Sequence, residues 1–256
     1  MSASDLTLLE IQNSRESEES PLAMEQVFAA LGSGGGHQSI ISRLLHPGYV
    51  PPYFSLEMVS VNSRIHFFLA TPESLRGYLE SQLTAQYPRL LIAKATDYAE
   101  HFLSLPHATG QLVYGNSYYL PLKTYKDIKD LDILSGVAGQ FAKLAPQEAI
   151  ALQIRLSPAG SSWQRSISSI IARGVPDHNS TVGRTKPHPY ARIMETKMNQ
   201  VGFFASLRLL AVASSPERAK EILQTTAGSF GVYTLGEGNN LVLAPLQFWQ
   251  KKKFEQ

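Results

Sequence analysis

The sequence predicts an α+β fold built from two ferredoxin-like units, each with the order βαββαβ, the second carrying an inserted helical segment. Three observations lead there. Stretches of strand and helix periodicity follow one another in that order through residues 1–107. The same order returns over 108–247, and a serine or threonine followed by proline opens a helix in both halves.

Residues 6–11 are a short apolar run that fits a strand, and 14–20 form a charged, serine-rich connector. Ser20-Pro21 then reads as a cap with proline in the first turn, and Leu22, Met24, Val27, Phe28 and Leu31 recur at helical spacing until Gly32. Residues 54–61 and 64–70 are rich in β-branched and aromatic side chains and flank Asn62-Ser63, which predicts a β-hairpin. Phe67 is read as strand core and Phe68 as facing a neighbouring domain. Thr71-Pro72 opens a second helix along Leu75, Tyr78, Leu79 and Leu83, and Pro88 forbids its continuation. Residues 90–95 close the unit as a strand.

The second unit begins with 111–125, read as extended structure with a bend at Gly115-Asn116 and an edge position favoured by Pro121. Ile133, Val137, Phe141 and Leu144 make a helical stripe. Residues 149–156 alternate, with Ile150, Leu152, Ile154 and Leu156 on one face and Gln153 and Arg155 on the other. Two helices, 163–173 and 190–199, form the insertion within 157–200, separated by a loop rich in proline, glycine and asparagine. Residues 203–213 are the strongest strand, Ser215-Pro216 caps a helix with Ala219, Ile222, Leu223 and Phe230, and 240–246 return as the last strand. The organisation is therefore a first unit at 1–107 with a Gly/Pro-rich insertion at 32–53, a second at 108–247, and a tail or linker to a further domain at 248–256.

Composition narrows the function classes. The 256 residues are 43% hydrophobic and 17% charged, enough apolar material for a packed core. A net charge of +2 excludes a uniformly basic nucleic-acid binder but not a local basic patch. No cysteine is present, so disulfides, thiolate zinc sites, iron–sulfur clusters and a cysteine nucleophile are excluded. The most apolar stretch, 201–214, contains Arg208 and is shorter than the ~18 residues of a spanning helix. The N-terminus carries Glu10, Glu16, Glu18 and Glu19 and lacks the pattern of an export signal.

Chemical motifs are sparse. The glycines of Gly32-Ser33-Gly34-Gly35-Gly36 follow a helix instead of opening one, and no Lys-Ser or Lys-Thr pair comes after them, so they read as a helix-terminating loop, not a phosphate cradle. The histidines do not have metal-ligand spacing, and no Gly-x-Ser-x-Gly elbow presents a serine. No catalytic or metal-binding residue is assigned, and no cofactor is expected in this chain. One charge asymmetry stands out. Across 155–192, Arg155, Arg165, Arg173, Arg184, Lys186 and Arg192 face the single acid Asp177. Arg173, Arg184, Lys186 and Arg192 are candidate contacts for an anionic partner such as nucleic acid, with Trp163 and Tyr190 available to stack bases. A merely solvated loop over 174–189 is the plainer alternative.

Several segments resemble the N-terminal region of type IV secretion, conjugation-type ATPases of candidate-phylum bacteria. They are Leu8-Leu9-Glu10-Ile11, the stretch from Ser20-Pro21 to Val27-Phe28, residues 54–71, Leu75-Arg76-Gly77-Tyr78-Leu79-Glu80-Ser81-Gln82 and Ala85-Gln86-Tyr87-Pro88. The likeness resumes at Met198-Asn199-Gln200-Val201-Gly202-Phe203 and continues through Arg218-Ala219-Lys220-Glu221-Ile222-Leu223 to Gly228-Ser229-Phe230-Gly231. These are packing patterns, and the chain departs from the family in its long stretch 32–53.

The resemblance implies a cytoplasmic protein peripheral to the inner face of the cell membrane, in an assembly where a RecA-like ATPase ring drives DNA or protein through a channel. It implies as partners the P-loop motor domain, in cis or trans, membrane subunits of the channel, and further copies of the chain. The motor's nucleotide-binding residues would lie beyond Gln256, so none is carried over, and the chain is either a fragment or a stand-alone relative. The expectation is a non-catalytic docking and oligomerisation region. The alternative is a nucleic-acid-binding module using 155–192.

Overall fold

The computed structural model describes residues 6–13, 20–34, 53–127, 133–177 and 184–246. Most of the 32–53 insertion, the acidic connector and the 248–256 tail lie outside the described residues. The architecture is α+β, with one large antiparallel sheet.

In the first half β1 (Leu6–Gln12), α1 (Pro21–Gly34), β2 (Phe54–Val61), β3 (Arg64–Pro72), α2 (Glu73–Gln86) and β4 (Leu91–Lys94) follow the predicted sequence of elements. The β2–β3 turn has Asn62 and Ser63 at φ of 52° and 58°. Positive φ at both central residues gives the local twist that closes a two-residue hairpin, and asparagine tolerates it. A short helix, α3 (Ala99–Leu103), follows β4.

The second half holds β5 (His107–Tyr114), α4 (Ile133–Ala142), β6 (Ala149–Pro158), α5 (Ser162–Arg173), β7 (Val175–Pro176), β8 (Thr185–Lys186), α6 (Ala191–Met198), β9 (Phe203–Val212), α7 (Pro216–Ser229) and β10 (Leu241–Ala244). The extended reading of 111–125 needs correction. The strand begins earlier, at His107, and ends at Tyr114, where Gly115 N–H donates to Asn240 O at 3.0 Å. The aromatic residues beyond it lie in a loop held by Asn239. That side chain is fully buried, and its amide donates to Ser117 O at 2.9 Å and to Leu120 O at 3.3 Å.

The strand order is β10-β5-β9-β6-β2-β3-β1-β4. Each half thus places its strands in the same relative order, and β2 joins β6 over seven register pairs from Phe54↔Leu156 to Ser60↔Ile150. Helices cover one face. Leu9, Val27, Leu69, Leu79 and Leu83 pack under α1 and α2, while Val137, Phe141, Ile150, Leu209, Ile222 and Leu223 pack under α4 and α7. Ile154 of β6 touches both clusters, so the two cores are contiguous.

On the opposite face, α3 and the residues before it cover only part of the sheet, with Phe102 and Tyr98 over Val59, Phe68, Ala151 and Leu210. The expected roles of Phe67 and Phe68 are consequently exchanged. Phe67, on the helical face, is 52% exposed, whereas Phe68 is buried with its ring 5.6 Å from that of Tyr98. The segment that covers Phe68 had no periodicity to reveal it.

The insertion forms a lobe of its own. Ile167 of α5 and Met194 of α6 are fully buried against each other and Leu120, with Trp163, Ile170, Ile193 and Met198 around them. It leaves the sheet at the end of β6 and returns at the start of β9, both at the same end of that hairpin.

Candidate functional site

Strand alternation sends every second residue of β2, β6, β9 and β5 to the face that the helices do not cover. Register then aligns them in rows. Glu57, Gln153, Arg208 and Gln111 form one row, and Ser55, Arg155 and Ser206 the next. Phe204 continues β9 beyond Ser206, opposite Ser157, and is 61% exposed. The result is a polar strip bounded by Phe204 at one end and by the α3 cover at the other.

The strip's acid is the buried Glu57. Tyr98 Oη donates to Glu57 Oε2 at 2.6 Å, and Gln153 Nε2 donates to Tyr98 Oη at 3.0 Å. Burial raises the Glu57 carboxyl above the usual carboxylate range, outweighing the hydrogen bond from Tyr98, which acts in the opposite direction. Tyr98 is pushed well above the usual phenol range by burial, with the charge of Glu57 adding to it.

Its cations are Arg155 and Arg208, both half-buried. The Arg155 guanidinium lies 3.3 Å from the Tyr53 ring centroid, a stacked cation–π contact. Burial lowers the pKa of both guanidinium groups, and for Arg208 the neighbouring Arg155 charge lowers it further. Gln111 Nε2 donates to Ser206 Oγ at 3.2 Å on the far side of Arg208. Two like charges therefore sit at diagonal positions on adjacent strands in a partly desolvated setting, an arrangement that an oxyanion would relieve.

The four predicted cations lie elsewhere, on the inserted lobe. Arg173 ends α5, Lys186 belongs to β8, Arg192 is in the first turn of α6, and Arg184 O accepts from Asp177 N–H at 2.9 Å. All four are exposed. The backbone brings Arg173 and Lys186 close, since a Cβ on the adjoining Gly174 would stand 2.3 Å from Lys186 O. Tyr190 is 37% exposed, whereas Trp163 packs inside the lobe against Gly202. Tyr190 is thus the more accessible of the two, while Trp163 is partly buried. Arg155, counted with this segment in the sequence, belongs to the sheet strip instead.

Lys197 of α6 is the most perturbed amine. Its Nζ donates to Tyr118 O and to Leu120 O and lies 4.9 Å from the Tyr114 ring, and burial pulls its pKa down to about 8. Its partners are backbone carbonyls of the Asn239 loop, so it fastens the lobe to that loop. A separate cavity of about 470 Å³ lies between β5, β10 and α7, with His107 and Lys220 as its ionisable lining side chains. Among the described residues no three His, Cys, Asp or Glu side chains group as metal ligands would. None of their helices is long and apolar enough to cross a membrane.

Sequence reasoning found Arg155 and Gln153 as the off-face residues of an alternating strand and noticed Arg208 only as a charge interrupting an apolar run. Glu57, Tyr98, Phe204 and Tyr53 gave no signal, because their convergence depends on the pairing of β2, β6 and β9.

Residues 38–255 match a family described as a domain of unknown function, DUF8128. The chain belongs to this family. No curated protein matches it. Among solved structures, the crystal structure of aclacinomycin oxidoreductase is similar at a TM-score of 0.39 and 8% identity, over 89% of this chain and 41% of that one. The chain thus spans less than half the length of that structure.

Proposed function

We propose that this DUF8128 chain is a non-catalytic docking and oligomerisation region of the type IV secretion, conjugation-type ATPases it resembles, peripheral to the inner face of the cell membrane. In this reading it is built from two ferredoxin-like units. It holds a P-loop motor, in cis or in trans, against membrane subunits of the channel, and it associates with further copies of itself. It needs no cofactor of its own. Support for the paired units comes from the strand orders β4-β1-β3-β2 and β10-β5-β9-β6, because a βαββαβ unit arranges its strands as fourth, first, third, second.

The observation that carries the docking reading is the state of the sheet's two edges. Among the described residues β4 and β10 each pair on one side only, and both display apolar side chains, Leu91 at 69% and Val242 at 39% exposure. An uncovered edge with apolar flanks is a template for strand addition. The test is light scattering on the purified chain with its Leu91→Lys and Lys94→Pro variants, the second removing an N–H that faces away from β1, followed by capture of the motor and channel subunits. The expected result is a concentration-dependent oligomer that the variants dissociate. ATP turnover by the chain, or a monomer at every concentration with no captured subunit, would overturn the reading.

A second reading, a nucleic-acid-binding module using 155–192, is favoured by the exposure of Arg173, Arg184, Lys186 and Arg192 on one lobe. Phosphate contacts predict affinity that falls steeply with salt. No binding to single strands or duplexes at low salt would eliminate it.

A further inference from the structure

The polar strip on the helix-free face combines three features that the docking reading does not use. Phe204 offers an exposed aromatic ring at the start of β9, at the open end of the strip. Arg155 is held in plane by Tyr53, and among the described residues it makes no hydrogen bond or ion pair, so its N–H edge remains available. Arg208 stands on the neighbouring strand, in register with Gln153 and Gln111. Glu57 acts on Arg208 in the opposite sense, but Arg155 outweighs it there, and with two guanidinium groups against that one acid the strip stays positive.

We propose that this face of β6 and β9 binds single-stranded nucleic acid, with a base stacked on Phe204 and backbone phosphates accepting hydrogen bonds from Arg155 and Arg208. The inference goes beyond the docking reading and does not depend on it. The uncovered sheet face is broad and twisted, and unstacked bases can lie across it with their rings against an exposed aromatic side chain. Ring stacking on a sheet with flanking guanidinium groups suits every base, so recognition is tolerant of sequence. The strip also has a natural continuation. The inserted lobe departs at Pro158 and returns at Phe203, beside Phe204, so a strand crossing the face reaches the root of the lobe that carries Arg173, Arg184, Lys186 and Arg192.

The experiment is fluorescence anisotropy of the whole chain with labelled oligothymidylate and oligouridylate of about 16 nucleotides, from about 50 to 200 mM salt. Binding is expected, with affinity falling as salt rises. Phe204→Ala should weaken it by about 5-fold or more, while Phe204→Tyr should retain it. Arg155→Gln combined with Arg208→Gln should reduce the salt slope by about 1.4, from about 0.7 per phosphate on single strands. Phe204 is mostly exposed, so its variants keep the test meaningful even if the double arginine variant fails to fold. No binding by the unaltered chain overturns the proposal. So do unchanged affinities in the face variants with loss only on replacing the four lobe cations, tighter binding to duplex, or equal competition by polyglutamate at matched charge. Oligomeric state, subunit capture and ATP turnover, measured separately, decide the docking reading whatever this result.

Discussion

Glu57 and Glu148 are both buried carboxyl groups, and they titrate in opposite directions for reasons visible in their neighbours. Glu57 has neutral hydrogen-bond donors in Tyr98, Ser55 and Gln153, and burial raises its pKa, with the Asp97 charge adding to the rise. Glu148 is gripped by Arg218 at 2.7 Å and accepts from Ala145 N–H at 3.1 Å, and the arginine's hydrogen bond holds its pKa below the usual value. For Glu57 the folded protein binds the proton more tightly than the unfolded chain. Its contribution is therefore present below the ordinary carboxylate pKa and is lost as pH rises through the higher folded value. Glu148 contributes above the ordinary value, and that contribution disappears as pH falls through its depressed one. Thermal unfolding across pH should separate them. Glu57→Gln is expected to raise Tm relative to the unaltered chain by an amount that grows with pH, and a difference that is constant or shrinks would contradict this. Arg218→Met should lower Tm at neutral pH and converge with the unaltered chain in acid. Tyr98→Phe, which strips a donor from Glu57 and a partner from Gln153, should cost about 1–3 kcal/mol in chemical denaturation. None of these roles was legible beforehand. Glu57 gave no signal in the sequence, because its partner is a tyrosine forty-one residues away.

Elements were far more legible, and their failures have a common cause. Where a cap, a period and a stop coincide, as at Ser215-Pro216 before α7, the helix falls where it was expected, and Ser215 Oγ accepts from Arg218 N–H at 3.2 Å. Ser215→Ala should cost about 1 kcal/mol. Misreadings arose where aromatic content imitated a strand. Tyr118 and Tyr119 have high β propensity, yet Asn239 orders their segment as a loop through carbonyl contacts. Asn239→Ala removes the donor to Ser117 O and Leu120 O from a fully buried position, and a loss of about 1–3 kcal/mol is expected. Because Lys197 donates to the same Leu120 carbonyl, the variant should also loosen α6. Faster amide exchange in α6 than in α7 would register that loosening, and unaltered exchange there would show that the lobe stands without the loop.

At the scale of the molecule, two repeated halves invite the expectation of two independent folding units, and the β2–β6 pairing argues against it. Seven register pairs cross that boundary, and Ile154 packs into the cluster under α1 and α2 as well as the cluster under α4 and α7. Separating the halves would uncover the edges of β2 and β6, where Val59, Ile150 and Ala151 are all but inaccessible to solvent. Repeated element order was readable from periodicity, whereas this fusion was not, because nothing local specifies which strand an edge will meet. The consequence is a shared transition. Leu79→Ala opens a cavity beneath α2 and Ile222→Ala one beneath α7, each expected to cost about 2–5 kcal/mol. If the sheet couples the halves, calorimetry of each variant shows one unfolding transition displaced as a whole. Amide protection in the untouched half should then fall together with that in the mutated half. Two transitions, with Leu79→Ala moving only one and Ile222→Ala only the other, would mean that the β2–β6 contact joins domains that fold separately.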